Sequence, residues 1–139
     1  MVTVVFTRRR NLGSLALRTF LWSDWSHCGI LHDGRVVEAS AYGVVRIRTL
    51  DEFLHGVSRS KVVSLPGDSA AVFFAAATQE GKKYDWLGCL GIATRRKLES
   101  KDRWFCSELV AWAFKQAGYP LFSIKPWRIT PRDLYMIGR

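Results

Sequence analysis

The hydrophobic positions of this chain change their spacing about halfway along. In the first half they come in short runs. Val2–Phe6 is β-branched and aromatic and predicts a strand. Ser26–Leu31 and Arg35–Ala39 predict two more, joined at Asp33-Gly34, a strong signal for a two-residue hairpin turn. Gly43–Arg48 alternates apolar with polar side chains and predicts a fourth; Lys61–Leu65 predicts a fifth, stopped by Pro66-Gly67. In the second half the spacing becomes helical. Asp68 caps an apolar helix that runs to about Glu80 and ends at Gly81. Cys106–Ala117 sets Leu109, Ala113 and Ala117 on one stripe with Val110 and Phe114 beside it, before Gly118 and Pro120 halt it. Short helices are predicted from Asn11 through Phe20, after the capping box Thr49-Leu50-Asp51-Glu52 up to Gly56, and from Thr130-Pro131-Arg132-Asp133. Tyr84–Ile92 is interrupted by glycine and ambiguous, and Thr94–Arg103 reads as an exposed, charged connection. Strands early and helices late argue an α+β fold.

Size and charge narrow the picture modestly. A chain of 139 residues, 48% apolar and 13% aromatic, suits one domain over 1–139, with no linker, repeat or low-complexity tract. The net charge of +9 is compatible with nucleic acid, an anionic envelope surface or an acidic substrate. The basic residues are scattered, apart from Arg8–Arg10 and Arg95–Lys97, as on a solvated surface. With no helix-turn-helix, zinc-finger or aromatic RNA-binding signature, no specific nucleic-acid partner is expected. Cys28, Cys89 and Cys106 are odd in number and form no C-x-x-C pair, which points to a reducing compartment and to no zinc site. No metal and no cofactor is expected. Val2–Phe6 precedes Arg8-Arg9-Arg10, the reverse of a signal peptide, and no window approaches the ~18 uncharged apolar residues of a membrane span. A cytoplasmic location follows, with phage association or release by lysis as further options.

The predicted hairpin groups two residues that chemistry can use. With Asp33-Gly34 as the turn, His32 pairs with Arg35, Gly29 with Glu38 and His27 with Ser40. His27, Gly29, Leu31, Val36, Glu38 and Ser40 then share one face. Glu38 becomes the diagonal neighbour of His27, roughly 7–8 Å away between Cα atoms and within reach of a long side chain. A neutral imidazole accepts a proton at one nitrogen while the other donates to an acceptor. Glu38 can be that acceptor, with Ser40 as second choice, and Gly29 removes a side chain that would obstruct the pair. His32 and His55 have no such company: His32 is expected to be exposed beside the turn, and His55 to end a helix.

A nucleophile is expected at Cys106. A thiol at a helix start is favoured as thiolate by the dipole and by unpaired backbone N–H groups, which also suit a developing oxyanion. Cys28 adjoins His27 but points to the opposite face, so it is expected in the core. Cys89, between apolar neighbours, is expected there too.

The order of these pieces resembles a known family. Ser26-His27-Cys28-Gly29-Ile30 and Asp33-Gly34-Arg35-Val36-Val37-Glu38-Ala39 are similar to the S-H-V-G-I … D-G-x-V-I-E-A stretch of permuted NlpC-type papain-like proteins, the branch that holds YiiX-like bacterial proteins and lecithin:retinol acyltransferase relatives. Trp104-Phe105-Cys106-Ser107-Glu108-Leu109-Val110 resembles their W-x-C-S-E-L-V, Tyr84-Asp85-Trp86 their Y-D element, and Ile129-Thr130-Pro131 their I-T-P. Phe6-Thr7-Arg8 and Ser14–Arg18 are similar to the start of these proteins. Cys28 departs from the family, which has valine there. The resemblance implies a papain-like fold of permuted topology, an antiparallel sheet packed with helices, histidine strand first and cysteine helix last. It also implies a Cys106, His27, Glu38 triad, with Tyr84 lining the site.

The expected activity is a cysteine hydrolase that cleaves an amide, peptide or isopeptide, through a thioacyl-enzyme; a cell-wall peptide is the family-level substrate. A thioesterase, lipid deacylase or acyltransferase would use the same intermediate, in a groove that Trp22, Trp25, Trp86 and Trp104 could line. A non-catalytic phage or envelope module that keeps the fold is the third possibility.

Overall fold

The computed structural model describes residues 1–20, 23–40, 43–84 and 103–138. Strands β1 (Val2–Arg8), β2 (His27–His32), β3 (Arg35–Ala39), β4 (Val45–Thr49) and β5 (Arg59–Leu65) form one antiparallel sheet in the order β4-β3-β2-β1-β5. Asp33 and Gly34 have φ of 49° and 74°, the two positive values that a tight hairpin turn of the right twist requires. His32 accordingly pairs with Arg35. The other elements are α1 (Leu12–Phe20), α2 (Leu50–Leu54), α3 (Ser69–Ala77), α4 (Cys106–Gln116), a 3₁₀ turn at Pro126–Arg128 and α5 (Pro131–Ile137). A short parallel pair joins β6 (Lys83–Tyr84) to β7 (Arg103–Trp104).

Strand alternation divides the sheet's side chains between two faces. Val2, Val4, Phe6, Cys28, Ile30, Val37, Ala39, Val45, Val63 and Leu65 belong to the main core, which also takes Val72 and Phe73 of α3, Leu109, Val110 and Phe114 of α4, and Leu134 of α5. On the opposite face a second cluster of Val5, Val36 and Phe53 is smaller, and Leu31, Leu50 and Leu54 pack against it. Phe53 is delivered by α2, whose capping box closes as expected: Thr49 accepts from the Glu52 N–H and Glu52 returns a bond to the Thr49 N–H.

Several boundaries differ from the sequence reading. Helix α3 stops at Ala77 rather than near Glu80. Its end tightens, with Gln79 and Glu80 donating three residues back, because the Gly81 N–H and the Lys82 carbonyl bond to Val45 at the edge of the sheet. The expected loop over Thr94–Arg103 closes at Arg103 in a strand; residues 94–102 lie outside the described residues. The ambiguous segment begins as strand at Tyr84, and its remainder, with Cys89, also lies outside them. His32 is half-buried rather than exposed: its Nδ1 meets Ser69 Oγ at 3.0 Å and its ring lies 5.5 Å from that of Phe73. Among the four tryptophans named for an apolar groove, Trp25 and Trp104 are buried in the core, and Trp22 and Trp86 lie outside the described residues.

Candidate active site

Glu38 is the anchor of the polar cluster. It projects from β3 onto the face of the smaller core, with its side chain 1% exposed. The register sets Arg46 directly opposite, and Arg48 two residues on along the same face of β4. Both guanidinium groups donate from Nε to Glu38 Oε1, at 2.9 and 2.8 Å. The other carboxylate oxygen, Oε2, receives His27 Nε2. Burial alone would raise this carboxyl's pKa. The hydrogen bond and charge of His27, and then the two arginines, outweigh it and bring the pKa to about 2.

His27 is the first residue of β2. The ladder to β3 runs from His32↔Arg35 to Ile30↔Val37 and does not include the expected pairs Gly29–Glu38 and His27–Ser40. At Ser40 the chain is already turning into β4, with its N–H on the Val44 carbonyl. His27 nevertheless reaches Glu38 across this opening. Its ring lies 5.6 Å from that of Phe53, at 34°. Gly29 serves that packing more than it serves Glu38: a Cβ there would meet Val36 Cγ1 at 2.5 Å, the Val37 carbonyl at 3.0 Å and Phe53 Cε2 at 3.3 Å. Arg48 lies over the outer side of Phe53, 5.9 Å from its centroid.

Cys106 is the first residue of α4, and Phe105 before it supplies no side-chain cap, so the positive end of the helix is left to the sulfur. Ser107 Oγ donates to the Ile129 carbonyl at 2.5 Å and ties this helix start to the segment leading into α5. The thiol packs against two consecutive residues of β2. It lies near enough to the His27 ring and to the Cys28 side chain and backbone for these groups to govern its titration. Cys28 is in the core and on the face opposite His27, as expected. What strand alternation did not disclose is that this same face receives α4, so Cys28 and Cys106 belong to one buried cluster.

The site therefore holds opposite charges in contact. Burial raises the Cys106 thiol, but hydrogen bonds from Cys28 and His27 and the His27 charge reverse this and bring its pKa to about 5. Loss of water pushes His27 down, yet the Cys106 and Glu38 side chains raise it to about 9. Between those values a thiolate faces an imidazolium. Sequence reasoning brought Cys106, His27 and Glu38 together, and so does the structure. Arg46 and Arg48 were missed. Their signal was present in the alternation of Val45-Arg46-Ile47-Arg48, which puts two cations on one face of the strand beside Glu38.

The remaining expected residues stand as follows. Tyr84 is buried, with its ring 6.4 Å from Phe105 in an edge-on contact, one residue from the nucleophile. Ser40 is buried in the turn between β3 and β4. His55 caps the end of α2 and is exposed. Among the described residues no group of three or more His, Cys, Asp or Glu side chains is placed to hold a metal ion, and no helix is long and apolar enough to cross a membrane.

Known proteins are similar to this chain in family and in fold. The family model of the permuted papain-like amidase enzymes, the YaeF/YiiX, C92 family, matches residues 3–126. The crystal structure of YiiX from Escherichia coli O157:H7, described as a metalloprotein, is similar in fold, with a TM-score of 0.60 at 24% identity. The likeness covers 84% of this chain and 64% of that one, so the present chain spans less than two thirds of its neighbour. None of the curated proteins matches.

Proposed function

This chain belongs to the permuted papain-like amidase family, and from that premise we propose that it is a cysteine hydrolase of amide bonds, with Cys106 as nucleophile, His27 as acid and base, and Glu38 orienting the histidine. The observation that carries the reading is the place of His27, hydrogen-bonded to Glu38 on one side and setting the charge of the Cys106 thiol on the other. The thiolate attacks the amide carbonyl, and the oxyanion accepts from the Cys106 backbone N–H. The imidazolium gives its proton to the leaving nitrogen, leaving a thioacyl-enzyme. His27 then takes a proton from water as water attacks the thioester, and keeps it as the thiolate departs, which restores the starting ion pair. Glu38 keeps the ring in one orientation through Nε2, and Tyr84 lines the site near the oxyanion. The substrate class in this reading is a peptide or isopeptide, including the cell-wall type.

The test is to expose the protein to a panel of peptide and isopeptide amides, quench in acid and weigh the peptide that carries Cys106. An acyl adduct on that peptide, absent in Cys106→Ala, is expected. Failure to form an adduct, together with alkylation of Cys106 only at the pH of an ordinary thiol, would overturn the reading.

A further inference from the structure

The two arginines on Glu38 begin alike and end differently. Each donates from Nε to Glu38 Oε1. Arg48 also uses a terminal nitrogen within the protein, its Nη1 donating to the Glu52 carbonyl at 3.1 Å. The Arg46 side chain is 35% exposed, against 21% for Arg48. Among the described residues the Nη1 and Nη2 groups of Arg46 have no protein partner. A guanidinium carries its five N–H donors in one plane. With Nε fixed on a buried carboxylate, the open Nη pair of Arg46 is already oriented, so a ligand there need not order a free side chain.

The topology sets this pair at the catalytic end of the sheet. Strands β2, β3 and β4 run in alternate directions. The start of β2 with His27, the end of β3 with Glu38 and the start of β4 with Arg46 therefore lie together. Arg48, paired with Val36, is farther from that end. The start of α4 is tied to the same end. The Val45 N–H bonds to the Lys82 carbonyl and the Tyr84 N–H to the Gly43 carbonyl, Tyr84 pairs with Trp104, and Cys106 follows two residues later. One carboxylate, that of Glu38, separates the Arg46 guanidinium from the His27 ring.

Charge favours an anion at this place. Glu38 is a single anion shared by Arg46, Arg48 and His27. Whichever of Cys106 and His27 holds the proton between them, the cluster of these five side chains keeps a net positive charge. Two parallel N–H donors match the two oxygens of a carboxylate. We propose that Arg46 determines specificity: its Nη pair receives a carboxylate of the substrate, so the preferred amide carries one within one or two residues of the cleaved bond, about 3.5 Å of extended chain for each. The inference rests on the reading of Cys106 as nucleophile and narrows the substrate of that site to an acidic one.

The experiment follows alkylation of Cys106 from pH 5 to pH 9 by peptide mass spectrometry, with three probes. Bromoacetyl-glycine ends in a carboxylate, bromoacetyl-glycinamide is its neutral counterpart, and the α-amide of bromoacetyl-aspartic acid carries its carboxylate on a side chain. The quantity read is the rate of each acid divided by that of the neutral amide, which cancels changes in the reactivity of the sulfur itself. In the native protein at least one acid is expected to react about tenfold faster than the amide, and the faster acid tells a chain end from an acidic side chain. Arg46→Gln should remove most of that preference. So should Arg46→Lys, which keeps a cation opposite Glu38 but has no second nitrogen to offer. Arg48→Gln, which disturbs Glu38 in the same way, should hold the ratio within about twofold of the native value. A native ratio near one, or a preference that both Arg46 variants retain, overturns this inference alone when Cys106 still labels at lower pH than an ordinary thiol. An equal loss in Arg48→Gln also overturns it, because the preference would then belong to the charge of the cluster and not to the Nη pair. Cys106 that reacts with every probe only in the pH range of an ordinary thiol overturns the nucleophile reading together with it.

Discussion

On one face of the central sheet β1, β2, β3 and β5 present hydrocarbon to α3, α4 and α5, and the enclosed positions are filled by Phe6, Ile30, Leu65, Leu109 and Phe114. On the other face the apolar set shrinks to Val5, Val36 and Phe53, and beside it sits a carboxylate whose side chain is 1% exposed. Buried apolar groups need only close packing, without partners of fixed direction. A buried carboxylate is tolerated only when its acceptor positions are taken, and Glu38 has three donors from two strands. The lesson is that the chemistry lies at neither face alone. His27 belongs to the polar face and Cys106 arrives from the apolar one, and they meet where β2 begins and its ladder to β3 is open.

The comparison can be broken most severely at the meeting point. Cys106→Ala should lower kcat/KM by on the order of 10⁵-fold, to the background rate, while unfolding in denaturant changes little because only one sulfur is lost. Glu38→Gln acts on both properties. It removes the negative charge that faces two guanidinium groups and replaces one acceptor oxygen by a donor, which should cost about 3–5 kcal/mol of stability, and it should reduce kcat/KM by about 100-fold. The pH profile sharpens this. In the native protein kcat/KM should rise through about pH 5 as Cys106 ionises and fall through about pH 9 as His27 loses its proton. Removing the carboxylate lowers the histidine's pKa, so the alkaline limb alone should move down. The same groups make stability pH-dependent. The His27 contribution is complete below 6.5 and is lost as pH rises through about 9; that of Glu38 is complete above 4.5 and is lost as pH falls through about 2.

Phe114→Ala probes the apolar face by itself. It should cost about 3–5 kcal/mol in chemical denaturation, yet leave the pH limbs where they are, since no charged partner is touched. A shift of either limb would mean that the two faces are energetically joined through α4. The smallest effect is expected from Arg48→Lys, which keeps the charge but gives up the planar Nε contact to Glu38. A few-fold loss of kcat/KM, with the acid limb unchanged, is the expected result.

Much of this arrangement was legible in the residues. Asp33-Gly34 determined the turn, because only such a pair enters positive φ twice at low cost, and the turn determined the His32↔Arg35 register. Alternation then put His27 and Glu38 on a common face. Thr49 and Glu52, and Thr130 and Asp133, announced their helix starts because a capping box is a local bond pattern. The register of β4 was less accessible, since the chain between Ala39 and Val45 carries no turn signal as strong as Asp-Gly. Without that register the arginines could not be assigned to Glu38.

The sequence by itself determined the short-range facts: which residues form each element, which face each side chain takes, and that a thiol, an imidazole and a carboxylate were available. Only the tertiary structure decided that the first turn of α4 lies against the start of β2 and brings Cys106 to both His27 and Cys28. The reason is physical. Periodicity fixes directions within one element, whereas contact between elements distant in the chain depends on how whole apolar faces pack, and that packing is a sum over many weak contacts carried by no single motif.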